Sequence, residues 1–152
     1  MKVISGGQTG VDRAAIDAAI EQGIDYGGYI PKNRKAEDGR ISDKYSKLIE
    51  IKETDYRVRT EKNVKQSNAT LIIYFNQLYG GTLLTKEFAE KYKQDYLCID
   101  LLKETPNPIK KIRKWLEIVE PKILNIAGPR ESTNPGIYET TKGLLTEVFK
   151  RN

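Results

Sequence analysis

Val3-Ile4-Ser5-Gly6-Gly7-Gln8-Thr9-Gly10-Val11-Asp12-Arg13-Ala14-Ala15 is the stretch that decides the fold. Val3 and Ile4 close a short apolar run of the β-branched kind that suits a strand. Three glycines among the next five positions, Gly6 to Gly10, favour neither a strand nor a helix interior. Behind them apolar residues return at 11, 14, 15, 16, 18, 19 and 20, a helical stripe that Gly23 brings to an end. A bare turn between a strand and a helix points to something that must approach the backbone closely.

The same alternation runs outward through the chain. The pattern predicts strands over 2–5, 26–30, 69–75, 96–100 and 123–127, and helices over 11–22, 55–66, 82–92, 107–119 and 136–149. Residues 32–46 are polar and read as a loop, and 48–51 as a short extended piece. The run Ala69 to Phe75 is almost continuously apolar, as a strand covered on both faces would be. Five strand–helix alternations without a repeat or linker predict one α/β domain over residues 1–152, a three-layer sandwich on a mainly parallel five-stranded sheet. The expected strand order is the doubly wound 2-1-3-4-5, with ligands at the carboxyl ends of the strands where the order reverses.

Composition narrows the chemistry. Among 152 residues there is no histidine, so neither a zinc site nor a Ser-His-Asp triad is expected, and the predicted metal site is none. The single cysteine, Cys98, excludes an internal disulfide and reads as a small core residue. No stretch has the roughly 20 apolar residues of a membrane span, and no signal-like segment opens the sequence, so a cytoplasmic protein without a membrane partner is expected. The net charge of +5 favours anionic partners. The lysines are dispersed, with no nucleic-acid module around them, so nucleic acid is not an expected partner.

Three predicted strand ends carry glycine turns: Gly6-Gly7-Gln8-Thr9-Gly10, Gly80-Gly81-Thr82 and Gly128-Pro129-Arg130-Glu131-Ser132. In a parallel sheet they share one edge. Helix N-termini present amides without internal partners, which favour an anion, and Arg13 or Arg130 would add a guanidinium fork for phosphate or carboxylate. On the helix over 55–66, Arg59 and Asn63 share a face at i,i+4 and are candidate contacts to a sugar or base. Glu37, Asp38 and Glu131 are the candidate catalytic carboxylates if the protein turns over its ligand.

The segment Ile4 to Ala15 resembles the opening of the molybdenum carrier family, in the SLOG superfamily of Rossmann-like nucleotide-binding domains. The resemblance continues through Pro31-Lys32, Ala36-Glu37-Asp38-Gly39, Arg59-Thr60-Glu61-Lys62-Asn63-Val64 and Gly80-Gly81-Thr82. It ends in Asn125-Ile126-Ala127-Gly128-Pro129-Arg130-Glu131-Ser132 and Pro135-Gly136-Ile137-Tyr138. It implies a Rossmann-like fold, a homo-oligomer, and a ligand over the glycine turns. That ligand would be molybdenum cofactor, a pterin bearing a phosphate, or a nucleotide, with magnesium on the phosphates as the one addition left open. Related phosphoribohydrolases carry P-G-G-x-G-T-x-x-E. Here Tyr79-Gly80-Gly81-Thr82 lacks the proline, and Glu87 falls five residues after Thr82 rather than three. The first reading is therefore a binding protein for a small phosphate-bearing ligand. The alternatives are a nucleotide N-glycosidic hydrolase and a protein that captures nucleotide-derived immune signals.

Overall fold

The computed structural model describes residues 1–103 and 106–151. Its sheet has six parallel strands: β1 (Lys2–Ile4), β2 (Asp25–Ile30), β5 (Leu48–Glu50), β6 (Ala69–Tyr74), β7 (Asp95–Asp100) and β8 (Ile123–Ala127), in the order β5-β2-β1-β8-β6-β7. Two-residue strands β3 (Lys35–Ala36) and β4 (Gly39–Arg40) form a separate antiparallel hairpin. The helices are α1 (Val11–Glu21), α2 (Tyr56–Lys65), α3 (Gly80–Lys91), α4 (Pro108–Val119) and α5 (Ile137–Phe149).

Their placement follows from handedness. The connections β1–α1–β2 and β7–α4–β8 run one way along the sheet, whereas β5–α2–β6 and β6–α3–β7 run the other. Right-handed crossovers therefore put α1 and α4 on one face and α2 and α3 on the opposite face. Helix α5 packs on α1 and α4, and α2 packs on α3. Fully buried Ile16, Ile30, Leu71, Ile73, Ile126 and Leu145 belong to one core cluster.

The expected three-layer α/β class is observed, with two corrections. The sheet has six strands rather than five, because the short piece at 48–51 pairs with β2 in parallel and becomes an edge strand. The order is not 2-1-3-4-5: the last strand, β8, lies between β1 and β6 instead of at the edge. Local pattern gives each strand's existence, whereas order is set by which faces must be covered. Leu124, Asn125 and Ile126 of β8 are all buried, as a central strand requires, whereas β7 at the edge is half-exposed through Tyr96, Leu97 and Cys98. The helix expected from 82 starts at Gly80, and the expected loop over 32–46 contains the β3–β4 hairpin. The expected helix start at Asn107 proves to be a cap, whose side chain accepts from Lys110 N at 3.1 Å.

Candidate functional site

The sheet changes direction between β8 and β6. After β8 the chain continues into α5 on the α1 face, and after β6 into α3 on the other face. A crevice opens at such a point beyond the carboxyl ends of the strands. Here it measures about 190 Å³ and is lined from four segments: Gln8 and Asp12 after β1, Tyr56, Arg59 and Thr60 on α2, Tyr79 to Thr82 and Thr85 at the start of α3, and Ala127 to Arg130 with Thr133 after β8. All three glycine turns of the sequence contribute to it.

The turn before α3 is the open one. Tyr79 caps the helix without a side-chain hydrogen bond. The first helical bond is Leu83 N to Tyr79 O at 3.3 Å, so the amides of Gly80, Gly81 and Thr82 precede it, as orphan donors at a helix start do. A Cβ built on Gly80 or Gly81 would meet nothing within 4 Å, and Gly80 holds a φ of +54°. The helix dipole adds partial positive charge at this end.

The first turn is more self-contained. Gly7 N donates to Ser5 Oγ at 3.4 Å, Gln8 N to an Asp12 carboxylate oxygen at 3.3 Å, and Thr9 N to Gln8 Oε1 at 3.1 Å. The Thr9 hydroxyl donates to Glu37 at 2.6 Å and accepts from Glu131 N at 3.2 Å. Gly10 has no room for a Cβ, which would sit 2.3 Å from Pro129 O.

Two guanidinium groups face the crevice. Arg59 reaches from α2 across Gly6, where an added Cβ would sit 2.0 Å from its Nη1, so glycine there makes room for the arginine. One Nη lies 3.7 Å from Asp12, and the buried Nε has no hydrogen-bond partner. Arg130 comes from the turn after β8 and is more exposed, with its Nε 3.9 Å from Glu37. Tyr56 stands within cation–π distance of both, at 5.7 Å from Arg59 and 6.0 Å from Arg130. Asp12 is the carboxylate of the crevice. Burial pushes its pKa up, against the opposing pull of Arg59, the Gln8 amide and Arg13.

The other sequence candidates are placed as follows. Arg13 turns away from the crevice, donating to Gly7 O at 3.2 and 3.0 Å and forking onto Asp38 at 2.8 and 3.2 Å. Asn63 is buried and engages the Tyr29 backbone, accepting from its N–H at 2.8 Å and donating to its carbonyl at 3.0 Å. It ties α2 to β2, as a ladder bond would. Replacing Asn63 with alanine should leave both Tyr29 groups unpaired and lower stability by about 2 kcal/mol in a denaturant titration. Glu131 accepts from Gly136 N and Tyr138 N and closes the start of α5. Glu37 and Asp38 sit at the hairpin tip. None of Glu37, Asp38 and Glu131 lines the crevice. Ser132 bonds Glu37, and Gly128 fits where a Cβ would lie 2.1 Å from Ile73 O. Tyr56, one turn before Arg59 on α2, also lines the crevice, and Asp12 and Tyr79 stand in it although neither was a candidate ligand contact.

A wider depression of about 390 Å³ lies beside Thr9, Arg13, Asp17, Tyr45 and Tyr138. Asp17 accepts from both tyrosine hydroxyls, which leaves its carboxylate engaged. Among the described residues no cluster of His, Cys, Asp or Glu could hold a metal ion, and no helix is long and apolar enough to cross a membrane.

The fold and the crevice at its switch point define an α/β domain of the Rossmann-like class. The chain belongs to the circularly permutated YpsA SLOG family, which matches residues 3–149. The chain is also similar to a crystal structure of the "Putative molybdenum carrier protein" of Syntrophus aciditrophicus SB. Identity is 47%, the match covers 99% of this chain and 94% of that one, and the TM-score is 0.89. No curated protein matches the sequence.

Proposed function

We propose that the crevice binds a small phosphate-bearing ligand, nucleotide-like or pterin. The observation that carries this reading is the meeting, in one crevice, of an uncapped helix start with two arginines, one of them with an unpartnered buried Nε. Arg59 and the amides of Gly80 to Thr82 border the same crevice, so an anion there would draw on the guanidinium charge and on the helix start together. The description of the Syntrophus aciditrophicus structure as a molybdenum carrier protein supports a ligand-carrying role, and the resemblance to Rossmann-like nucleotide-binding domains adds the nucleotide class. A pterin cofactor would be cargo, its phosphate held here and its metal held by the pterin itself. Magnesium would enter only with the ligand's phosphates. Hydrolysis through Glu37, Asp38 or Glu131 has less support, because none of the three faces the crevice.

The test incubates the protein with nucleotides, ADP-ribose derivatives and pterin cofactor and follows free and total amounts by mass spectrometry. Depletion of the free pool of one compound with its total unchanged is the expected result. A falling total with release of a free base would instead make the protein a hydrolase. Gly81→Val places a branched side chain where backbone must meet ligand, in space that the fold leaves open. It should weaken that binding about tenfold, some 1.4 kcal/mol, with an unchanged circular dichroism spectrum. Undiminished affinity in the folded variant would remove the helix start from the site.

A further inference from the structure

Adjacent acids at a hairpin tip are ordinarily solvated, yet Glu37 is turned inward, its side chain 18% exposed. One carboxylate oxygen accepts from the Thr9 hydroxyl at 2.6 Å and from Ser132 N at 3.1 Å, and the other accepts from the Ser132 hydroxyl at 2.6 Å. Its own N–H donates to Gln8 Oε1 at 2.9 Å. The second oxygen is also the one 3.9 Å from Arg130 Nε. A single residue thus spans the turns after β1 and β8, and both turns deliver a side chain, Gln8 and Arg130, to the crevice.

We propose that Glu37 is a positioning residue for ligand binding: it pins the turn after β8 against the turn after β1 and holds Arg130 toward the crevice, acting through Arg130 without touching the ligand. The inference rests on the crevice being the anion site. Among the described residues, the cation within 4 Å of the carboxylate is Arg130, and its hydrogen-bond partners are hydroxyls and an amide. At 3.9 Å and without a hydrogen bond, the carboxylate draws the guanidinium by charge and leaves its nitrogens to an incoming phosphate, so that a supporting contact places the binding group before the ligand arrives. Because the latch spans two turns, a ligand that draws on Arg130 also stabilises the hairpin tip.

The experiment is a double-mutant cycle read by phosphorus NMR titration of inorganic phosphate, with Glu37→Gln, Arg130→Ala and the double variant. Glu37→Gln should weaken phosphate about fivefold and Arg130→Ala about tenfold, with the double variant no weaker than Arg130→Ala alone. A fivefold loss that persists undiminished in the Arg130→Ala background would reduce Glu37 to a purely structural role and overturn the proposal. So would wild-type affinity in Glu37→Gln. If Glu37→Gln does not fold, Ser132→Ala removes one bond to the carboxylate oxygen nearest Arg130 and takes its place in the cycle, with the same non-additivity expected. Failure of the wild-type protein to bind phosphate at all would instead overturn the anion site itself, and the latch with it.

Discussion

Arg59→Ala is expected to weaken inorganic phosphate, and any phosphate ester the protein takes, by about a hundredfold, or roughly 2.7 kcal/mol. Arg59 is the buried cation of the crevice, its Nε without a partner and its nearest anion at 3.7 Å. Losses of this size are usual when a desolvated charged contact is truncated. The same change should also lower stability, because Asp12 loses the first of the influences that oppose its desolvation. The sign with pH follows from Asp12 alone. Its pKa in the fold is raised above the ordinary value of 3.8, so its favourable contribution is complete below that value and is lost as pH rises through the folded pKa. Without Arg59 the folded pKa rises further, so the variant's deficit should grow as pH rises from about 4, near the ordinary value, to about 7. Adding Asp12→Asn removes the stranded carboxylate and should restore much of the stability at pH 7. Denaturant midpoints at the two pH values, set beside phosphate titrations, separate the two effects. Wild-type affinity in Arg59→Ala would exclude Arg59 from the site.

How much of this was legible in the sequence depends on the distance over which each residue acts. Gly80-Gly81-Thr82 declared itself because a strand, a glycine pair and a helix follow one another within a dozen residues, and all the relevant geometry is local. Asp12 did not. An acid in the first turn of a helix is the ordinary complement to the dipole, and nothing nearby announces that Arg59 will reach it from another helix. Asn63 illustrates the converse. It shares a face with Arg59 at i,i+4, but four residues advance about 6 Å along the axis. That step carries Asn63 past the crevice to the backbone of Tyr29. Glu37 lay in a segment whose polar composition reads as loop, and its partners are 28 and 95 residues away in sequence. The order of the sheet was hidden for the same reason. Leu124-Asn125-Ile126 has the pattern of any short buried strand, and only the joint demand of helices on both faces sets it beside β1.

Gly128→Ala tests that central position and should be strongly damaging for so small a substitution. The β8 turn passes between the end of β6 and the start of α1. A methyl group there would lie 2.1 Å from Ile73 O and 2.5 Å from a Val11 methyl. One of these is backbone in the middle of the sheet and cannot swing aside, so relief requires β8 to part from β6 or α1 to lift. Overpacking in a buried setting usually costs 1–3 kcal/mol, and a clash with fixed backbone belongs at the upper end. A loss of about 3 kcal/mol is expected, some 6–12 °C in Tm for a domain of this size. Phosphate binding should fall with it, because Arg130 follows two residues later and moves with the turn. Gly81→Ala is the matched comparison. It adds the same methyl group where nothing lies within 4 Å and without a positive φ, so its stability should stay within about 0.5 kcal/mol of wild type. Equal stability of the two alanine variants would mean that the β8 turn can relax, and that close contact with β6 is not what fixes the crevice.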